Sequence, residues 1–208
     1  MLLLTPPKIQ TSFLQITPER NHTILGNIYI PMGIKIYHMV QKCTHLKVLE
    51  MFFIEPTRIH FIKEISKRIG LSPTSVRNHM REFLSQKLIK IKRNKPFDGV
   101  VANRENDDFI FYKRIYNLYS LKELTRYLVN LYWPKIIVLF GSYSRGEDIE
   151  ESDIDLLVIT KVKKEPDLKR FEKKLKRKIN LLVIDRIERL DENIRKKIYN
   201  GIVLHGGF

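Results

Sequence analysis

The sequence has little cysteine and alanine and lacks any long apolar run. Cys43 is the sole cysteine, which excludes a disulfide within the chain and a zinc site built from clustered cysteines. A single cysteine favours a reducing compartment, so we expect a cytoplasmic protein. No apolar run approaches the about 18 residues that cross a bilayer, and residues 2–4 are too short for a signal-peptide core. We therefore expect no membrane partner.

Negative charge is also scarce. The 208 residues include 38 basic and 23 acidic side chains, for a formal net charge of +15. This excess favours a polyanionic partner, such as nucleic acid, a nucleotide or an acidic protein. Ala102 is the sole alanine while isoleucine and lysine abound, so the composition of an AT-rich or heat-adapted genome is an alternative source of the charge. The length allows one large domain or two small ones.

Residues 1–44 form a poorly defined N-terminal segment. The apolar stretches 28–30 and 34–37 flank Pro31-Met32-Gly33, which predicts a short hairpin. Met32 and Met39 leave open whether residues 1–38 belong to the natural protein.

Residues 45–104 show the pattern of three helices and a basic hairpin. Gly70 is placed to end the second helix, and Ser72-Pro73 to cap and begin the third. Residues 88–93 then alternate as a strand, and residues 99–102 offer a return strand. This order resembles a winged helix-turn-helix domain.

The winged-helix resemblance implies a DNA-binding face. Short polar and arginine side chains on the third helix suit phosphate and base-edge contacts, and the hairpin adds further cations. The predicted DNA-binding residues are Thr74, Ser75, Arg77, Asn78, Arg81, Lys92 and Arg93. The alternative is that this domain contacts protein or dimerises, and a homodimer stays open.

Residues 105–134 read as a helical bridge in two pieces, and residues 135–208 alternate strands and helices. We predict strands at 135–140, 153–159, 179–184 and 201–204, with helices at about 166–177 and 187–199. The expected fold class is α+β: a mainly helical N-terminal domain followed by a small α/β domain with a mixed sheet.

The stretch 136–160 carries the chemistry. Asp153 and Asp155 stand two apart at the head of a strand, so both carboxylates project to the same side. Such a pair suits Mg²⁺, which prefers oxygen ligands. The nearby Gly141-Ser142 turn offers backbone N–H groups and a hydroxyl to a phosphate. Together these features indicate nucleotide chemistry.

This stretch resembles the minimal nucleotidyltransferases of the DNA polymerase β superfamily. The pattern that carries the resemblance is Gly141-Ser142, then ten residues, and then Asp153-Ile154-Asp155. The resemblance covers about the last 75 residues and is specific, since a Gly-Ser turn and an Asp-x-Asp pair framed by two apolar strands rarely arise together. It implies that Asp153 and Asp155 are catalytic and hold one or two Mg²⁺ ions. It also implies that Gly141, Ser142 and Arg145 bind the phosphates of a nucleotide triphosphate such as ATP, and that an acceptor hydroxyl receives the nucleoside monophosphate.

The sequence departs from this family at the third metal ligand. Active members place a further carboxylate on the next strand, but here that position falls on Asn180. Asparagine can offer a carbonyl oxygen to a metal but brings no negative charge and cannot act as a base. Asp185 lies at an odd spacing from Asn180 and so projects from the opposite face.

Three functions therefore compete. The first is an adenylyltransferase that modifies a hydroxyl, by resemblance a tyrosine on a HEPN-type toxin RNase, which would make the chain antitoxin-like. The second is a DNA-binding regulator that senses nucleotide through a weakly active or inactive transferase domain. The third is an interaction module that has lost both activities.

Overall fold

A computed structural model describes residues 43–207. The N-terminal unit (residues 44–102) contains three helices, α1 (Thr44–Ile54), α2 (Ile62–Ile69) and α3 (Pro73–Ser85), followed by strands β1 (Ile89–Lys92) and β2 (Gly99–Ala102). The two strands pair antiparallel as a hairpin, and His60 forms an isolated bridge to Val100. The hairpin predicted at residues 28–37 lies outside the described residues.

Local signals set the helix ends of the N-terminal unit. Gly70 ends α2 with φ = 68°, a left-handed conformation that glycine adopts readily. The Ser72 hydroxyl accepts a hydrogen bond from the Ser75 N–H at 3.2 Å, and Pro73 occupies the first turn of α3. Apolar side chains at helical spacing then form one core, which includes Val48, Phe52, Ile65, Val76 and Phe83.

Two helices connect the N-terminal unit to the sheet. Helix α4 (Asp107–Ser120) contributes Phe109 to the N-terminal core, whereas α5 (Lys122–Tyr132) packs Leu124 and Leu128 against the sheet. The predicted bridge thus divides its packing between the two cores. None of the helices within residues 43–207 is long and apolar enough to cross a bilayer.

The sheet unit (residues 122–206) contains a four-stranded mixed sheet in the order β5-β4-β3-β6. Its strands are β3 (Ile136–Phe140), β4 (Ile154–Ile159), β5 (Ile179–Ile184) and β6 (Ile202–Gly206). Strand β3 runs antiparallel to β4 and to β6, while β4 and β5 are parallel. The unit also contains the short helix α6 (Gly141–Arg145), then α7 (Lys169–Leu175) and α8 (Glu192–Tyr199). The predicted mixed α/β architecture is confirmed.

The two faces of the sheet are covered differently. Ile137, Leu139, Leu156 and Val158 face α5 and α7 in one core. The alternate residues Ile136, Val138, Leu157 and Ile159 face the other way, where Ile198 of α8 packs on them. Because side chains alternate along a strand, Asp153 and Asp155 share the α8 face with Leu157. Both aspartates are partly exposed, so they lie on that face near its open end.

Two predicted helices differ in the structure. The helix expected at about 166–177 is shorter, spanning Lys169–Leu175. The helix expected at 187–199 is instead a 3₁₀ turn (Ile187–Arg189) and the separate helix α8. Asp191 explains the interruption, since its carboxylate accepts a hydrogen bond from the Asn193 N–H at 2.8 Å and starts a new helix.

Candidate functional site

Strand pairing places the carboxylates. In the sheet register Asp155 lies opposite Phe140 on β3 and beside Asn180 on β5. Cross-strand partners project to the same face of a sheet, so the pairing of β4 with β5 makes Asp155 and Asn180 neighbours. Asp153 precedes β4 by one residue and stays on that face two positions before Asp155. The site is therefore built from backbone register rather than from loops.

Gly141 lies against Asp155, and a side chain at position 141 would require that carboxylate to move. Its φ is +73°, and a Cβ built there would lie 2.2 Å from the Asp155 Oδ2. A side chain would meet both backbone strain and a direct overlap. The turn after β3 therefore lies against one of the two carboxylates, which brings the predicted phosphate-binding and metal-binding residues into one place.

Ser142 and Arg145 have different surroundings within α6. Ser142 is half-buried, and its carbonyl accepts from the Glu147 N–H at 3.1 Å. The Arg145 guanidinium donates to the Gly141 carbonyl at 3.1 Å and, through Nε, to the Glu147 carboxylate at 2.7 Å. Arg145 therefore ties the turn to the following loop while remaining exposed beside it.

Asn180 completes the group. Its Nδ2 lies 3.2 Å from the Asp155 Oδ1 and 3.4 Å from the Asp153 Oδ2. The three side chains thus converge on one space, with the amide bridging the two carboxylates. Asp185 follows the end of β5 and pairs with Arg189 at 2.9 Å, so it takes no part in this cluster.

An open cleft adjoins Asp153. Its volume is about 630 Å³. Four acidic residues line it together with three basic ones, namely Glu150, Glu151, Asp153 and Glu172 with Lys176, Arg177 and Lys178. The cleft therefore presents both signs of charge beside Asp153, and its charge alone selects no class of ligand.

Sequence reasoning missed a buried polar network that joins the N-terminal unit to this site. Lys113 of α4 is 1% exposed, and its Nζ donates to the Asp148 carboxylate at 2.8 Å and to the Phe53 carbonyl at 2.7 Å. The Asn117 amide donates to the other Asp148 oxygen at 2.7 Å. Burial lowers the pKa of Lys113, and the Asp148 charge opposes that shift. The sequence does contain one indication of this network, because Phe109, Lys113 and Asn117 share one face of α4.

Arg177 and Glu150 extend this connection. Arg177 precedes β5 and donates to the Ile54 carbonyl at 2.9 Å and to the Glu150 carbonyl at 2.6 Å. The Glu150 carboxylate in turn accepts from Thr57 N–H at 3.0 Å, from the Thr57 hydroxyl at 2.7 Å and from Arg58 N–H at 3.2 Å. Burial raises the pKa of Glu150, but these hydrogen bonds outweigh it and the net pKa is lowered. The loop from Gly146 to Asp153 is thus held by the N-terminal unit.

The predicted DNA-binding residues lie on two elements, and most of them are more exposed than the two aspartates of the carboxylate cluster. On α3 the side chains of Thr74, Arg77, Asn78 and Arg81 are exposed and Ser75 is half-buried, while Lys92 and Arg93 are exposed at the end of β1. The arginines and lysines of this set form no ion pair with another residue in the described range 43–207. Their positive charge is directed to solvent.

Comparison with known proteins supports one part of this arrangement. Residues 120–205 match the family described as "Nucleotidyltransferase domain", which takes in α5 through most of β6. The chain thus contains a nucleotidyltransferase domain, and the match covers both aspartates, the Gly141 turn and Asn180.

Two curated relatives come from Methanocaldococcus jannaschii, and both are provisionally named protein adenylyltransferases. MJ1379 is 51% identical over 45 residues, which is 20% of this chain and 45% of that protein. MJ0604 is 48% identical over 42 residues, which is 19% of this chain and 42% of that protein. The chain therefore spans less than half the length of each of these relatives.

Proposed function

We propose that the nucleotidyltransferase domain is active and transfers AMP from ATP to a hydroxyl group on another molecule. The observation that carries this proposal is the packing of Gly141 against Asp155, with Asp153 and Asn180 in the same cluster. An arrangement of this kind brings a turn suited to phosphate and a pair of carboxylates to one open end of the sheet. The polymerase β-like resemblance and the matched family both support it.

The donor set suits magnesium. Asp153 and Asp155 offer carboxylate oxygens, and rotation of the Asn180 amide by half a turn would exchange Nδ2 for a carbonyl oxygen at nearly the same place. These three residues would hold the ion, with Asn180 the weakest ligand because it is neutral. When bound, Mg²⁺ would offset the charge of the triphosphate and stabilise the leaving pyrophosphate.

The remaining steps belong to the residues of this chain. The Gly141-Ser142 turn would bind the outer phosphates through its backbone N–H groups and hydroxyl. The acceptor oxygen forms a bond to the α-phosphorus while the bond to the bridging oxygen breaks and pyrophosphate departs. The acceptor proton passes to solvent water, because Asn180 cannot accept it, and this predicts a slower reaction than a carboxylate would support. Catalysis then rests on positioning and charge.

For the acceptor we propose a protein tyrosine. The two M. jannaschii relatives are named as protein adenylyltransferases, and the sequence resemblance suggests a HEPN-type toxin as the modified partner. Antitoxin-like silencing of such a partner would then be the biological role.

Transfer of radiolabel from [α-³²P]ATP tests the proposal. In Mg²⁺ and with candidate partner proteins, the full chain should label a partner, and Asp153→Asn or Asp155→Asn should reduce labelling at least about a hundredfold, since each removes a charge that neutralises phosphate. Asp185→Asn is the matched control, because it removes a nearby carboxylate outside the cluster and should label as wild type does. Equal labelling by wild type and Asp153→Asn, or none by either, would refute the proposal.

Asn180→Asp separates slow catalysis from mere binding. It restores a charged ligand and a proton acceptor beside Asp155, so we expect faster transfer with little change in the affinity for ATP. If wild type and Asn180→Asp both bind Mg²⁺–ATP and neither transfers label, the domain is a nucleotide sensor instead.

A second function has its own supporting observation, the unpaired cationic face of α3 and β1. We propose that the N-terminal unit acts as a winged helix-turn-helix and binds DNA through Thr74, Ser75, Arg77, Asn78, Arg81, Lys92 and Arg93. Together with Asn180, this would make the protein a nucleotide-sensing regulator, and an antitoxin that represses its own promoter would combine both functions.

Salt dependence tests DNA binding. Affinity for duplex DNA should fall steeply with salt, and Arg77→Ala/Arg81→Ala should reduce the slope of log K against log[salt] by about 2, or about 1 per lost phosphate contact. The matched control is Lys169→Ala/Lys173→Ala, which removes two exposed cations at the same spacing on α7 and should leave the slope unchanged. Equal slopes for both double variants would argue that binding is nonspecific attraction to the basic chain.

A further inference from the structure

Two histidines and a glutamate converge where α1 meets α3, remote in sequence from the carboxylate cluster. His45 lies in the first turn of α1, while His79 and Glu82 lie three residues apart on α3. The His45 Nδ1 is 3.2 Å from the His79 Nδ1 and 3.4 Å from a Glu82 carboxylate oxygen. One ligand atom from each of the three residues lies within 4.8 Å of the others.

These separations match the spacing of ligands around a small cation. Zinc binds histidine nitrogen and carboxylate oxygen at about 2.0–2.2 Å, so the corners of its tetrahedron lie about 3.3–3.6 Å apart. Both distances from the His45 Nδ1 fall near that edge length. A hydrogen bond alone would account for the approach of the two ring nitrogens. The nearby Glu82 carboxylate adds a third atom that can bind a metal ion.

Thr44 holds the His79 ring from the far side. Its hydroxyl lies 3.1 Å from the His79 Nε2, which leaves Nδ1 directed at His45. An outer partner on the second ring nitrogen is what orients metal-binding histidines in proteins. The Phe83 and His45 rings pack at an angle of 61°, with their centroids 4.4 Å apart. Both imidazoles are therefore fixed before any ligand arrives.

We propose that His45, His79 and Glu82 form a binding site for a divalent transition metal ion of the Zn²⁺ class. Imidazole nitrogens select such ions over Mg²⁺ and Ca²⁺, which prefer oxygen alone. Three protein ligands leave one tetrahedral position for water or another donor. The site joins α1 to α3, so the bound ion stabilises the helix that carries Arg77 and Arg81 on its outer face. It requires neither the transferase activity nor DNA binding.

Cobalt binding provides a direct test, because Co²⁺ in a tetrahedral nitrogen-containing site absorbs strongly in the visible range. The full chain should carry Cys43→Ser, since the Cys43 thiol is exposed and would bind metal on its own. Excess Mg²⁺ is added to compete with Co²⁺ for the Asp153 and Asp155 carboxylates. We expect one equivalent of Co²⁺ to bind with a visible absorption band, Zn²⁺ to displace it, and the melting temperature to rise with metal.

Three variants localise the signal. His45→Gln and His79→Gln should lose the band and the thermal shift, with affinity lowered by more than the roughly 10- to 100-fold that loss of an outer partner produces. Glu82→Gln, at a residue with a half-exposed side chain, removes a ligand without disturbing the core and should also weaken binding. His205→Gln changes an exposed histidine on β6 and should bind as the parent does.

Glu82→Gln keeps the test decisive even if the histidine variants do not fold. The proposal is overturned if the parent shows no visible band and no thermal shift with Co²⁺ or Zn²⁺. It is equally overturned if folded Glu82→Gln, or either histidine variant that folds, binds metal as the parent does, because the metal would then lie elsewhere. In both cases the contact between His45 and His79 is a hydrogen bond between helices and nothing more.

Discussion

The carboxylate cluster of the sheet unit and the cationic face of the N-terminal unit are built in opposite ways. Asp155 is placed by two neighbouring strands and by a glycine turn that admits no side chain beside it. Arg77 and Arg81 are placed by one helix alone, with their charged ends in solvent. A site whose side chains are fixed by strand pairing accepts only ligands of a matching shape. An exposed charged face is much less selective, because many polyanions can bind it equally well.

The two units are nevertheless joined by buried charge. Lys113 donates to the last turn of α1 and to Asp148, which lies in the loop that leads to Asp153. Free carbonyls at the end of a helix favour cations, so Lys113 and Arg177 act as caps supplied by a distant part of the chain. The loop that leads to the carboxylates is therefore ordered partly by the N-terminal unit, and removing that order should affect both regions.

The largest expected effect comes from Lys113→Met. Loss of the ammonium leaves the Asp148 carboxylate buried with only Asn117 and the more distant Arg177, so we expect a loss of about 3–5 kcal/mol in the free energy of unfolding. Chemical denaturation measures it. The double variant Lys113→Met/Asp148→Asn should recover part of the loss, because the uncompensated charge is gone while an oxygen remains for Asn117. A double variant as unstable as the sum of the two single ones would show that the pair does not interact.

The second largest effect is expected for Gly141→Ala, which should reduce AMP transfer more than it reduces stability. The left-handed backbone costs about 1–2 kcal/mol in a residue with a Cβ, and the overlap with Asp155 adds about 1–3 kcal/mol. AMP transfer should fall more than stability alone explains, because the turn and the carboxylate move apart. Unfolding curves and labelling rates measure the two effects.

Gly70→Ala is the matched control for that change. Gly70 has φ = +68°, close to that of Gly141, but nothing lies within 4 Å of the Cβ position. Gly70→Ala should lose only the free energy of unfolding that the left-handed backbone costs, and the rate of AMP transfer should not change. Equal losses of stability and activity in both variants would mean that contact with Asp155 is unimportant.

The sequence predicts the carboxylate cluster more completely than it predicts the contacts between the two units. Gly141, Asp153 and Asp155 can be recognised because tight turns and metal clusters demand those residue types at that spacing, and simple strand pairing then brings Asn180 beside them. The capping of α3 by Ser72 follows from local chemistry as well. The burial of Asp148 and Arg177 cannot be predicted from the local sequence, since each looks like a surface residue until distant partners surround it. For Lys113 the sequence shows only that it shares a face of α4 with Phe109 and Asn117. His45 and His79 likewise meet only once α1 packs on α3.

A smaller effect is expected for Glu150→Gln at the contact between the units. The substitution keeps an oxygen for Thr57 but removes the charge that strengthens its three hydrogen bonds, so we expect a loss of about 1 kcal/mol. Hydrogen exchange should rise at the Thr57 and Arg58 amides, which donate to this carboxylate. Glu151→Gln, the exposed neighbour, is the control and should leave both amides as protected as before. Unchanged exchange in Glu150→Gln would remove this contact from the connection between units.

The smallest expected effect lies within the N-terminal unit, at the ion pair of Glu55 and Arg68. Two hydrogen bonds from Arg68, at 2.7 and 2.9 Å, lower the pKa of Glu55 below its ordinary value of 4.5, although burial opposes them. A carboxyl group whose pKa is lowered by folding stabilises the fold above its unfolded pKa and loses that contribution as pH falls through the folded value. Glu55→Gln should therefore unfold about 0.5–1 kcal/mol more easily at neutral pH. The difference from wild type should shrink below about pH 4.5, as denaturant midpoints measured across that range would show. A difference that persists in acid would mean that the shape of the side chain, rather than its charge, supports the N-terminal unit.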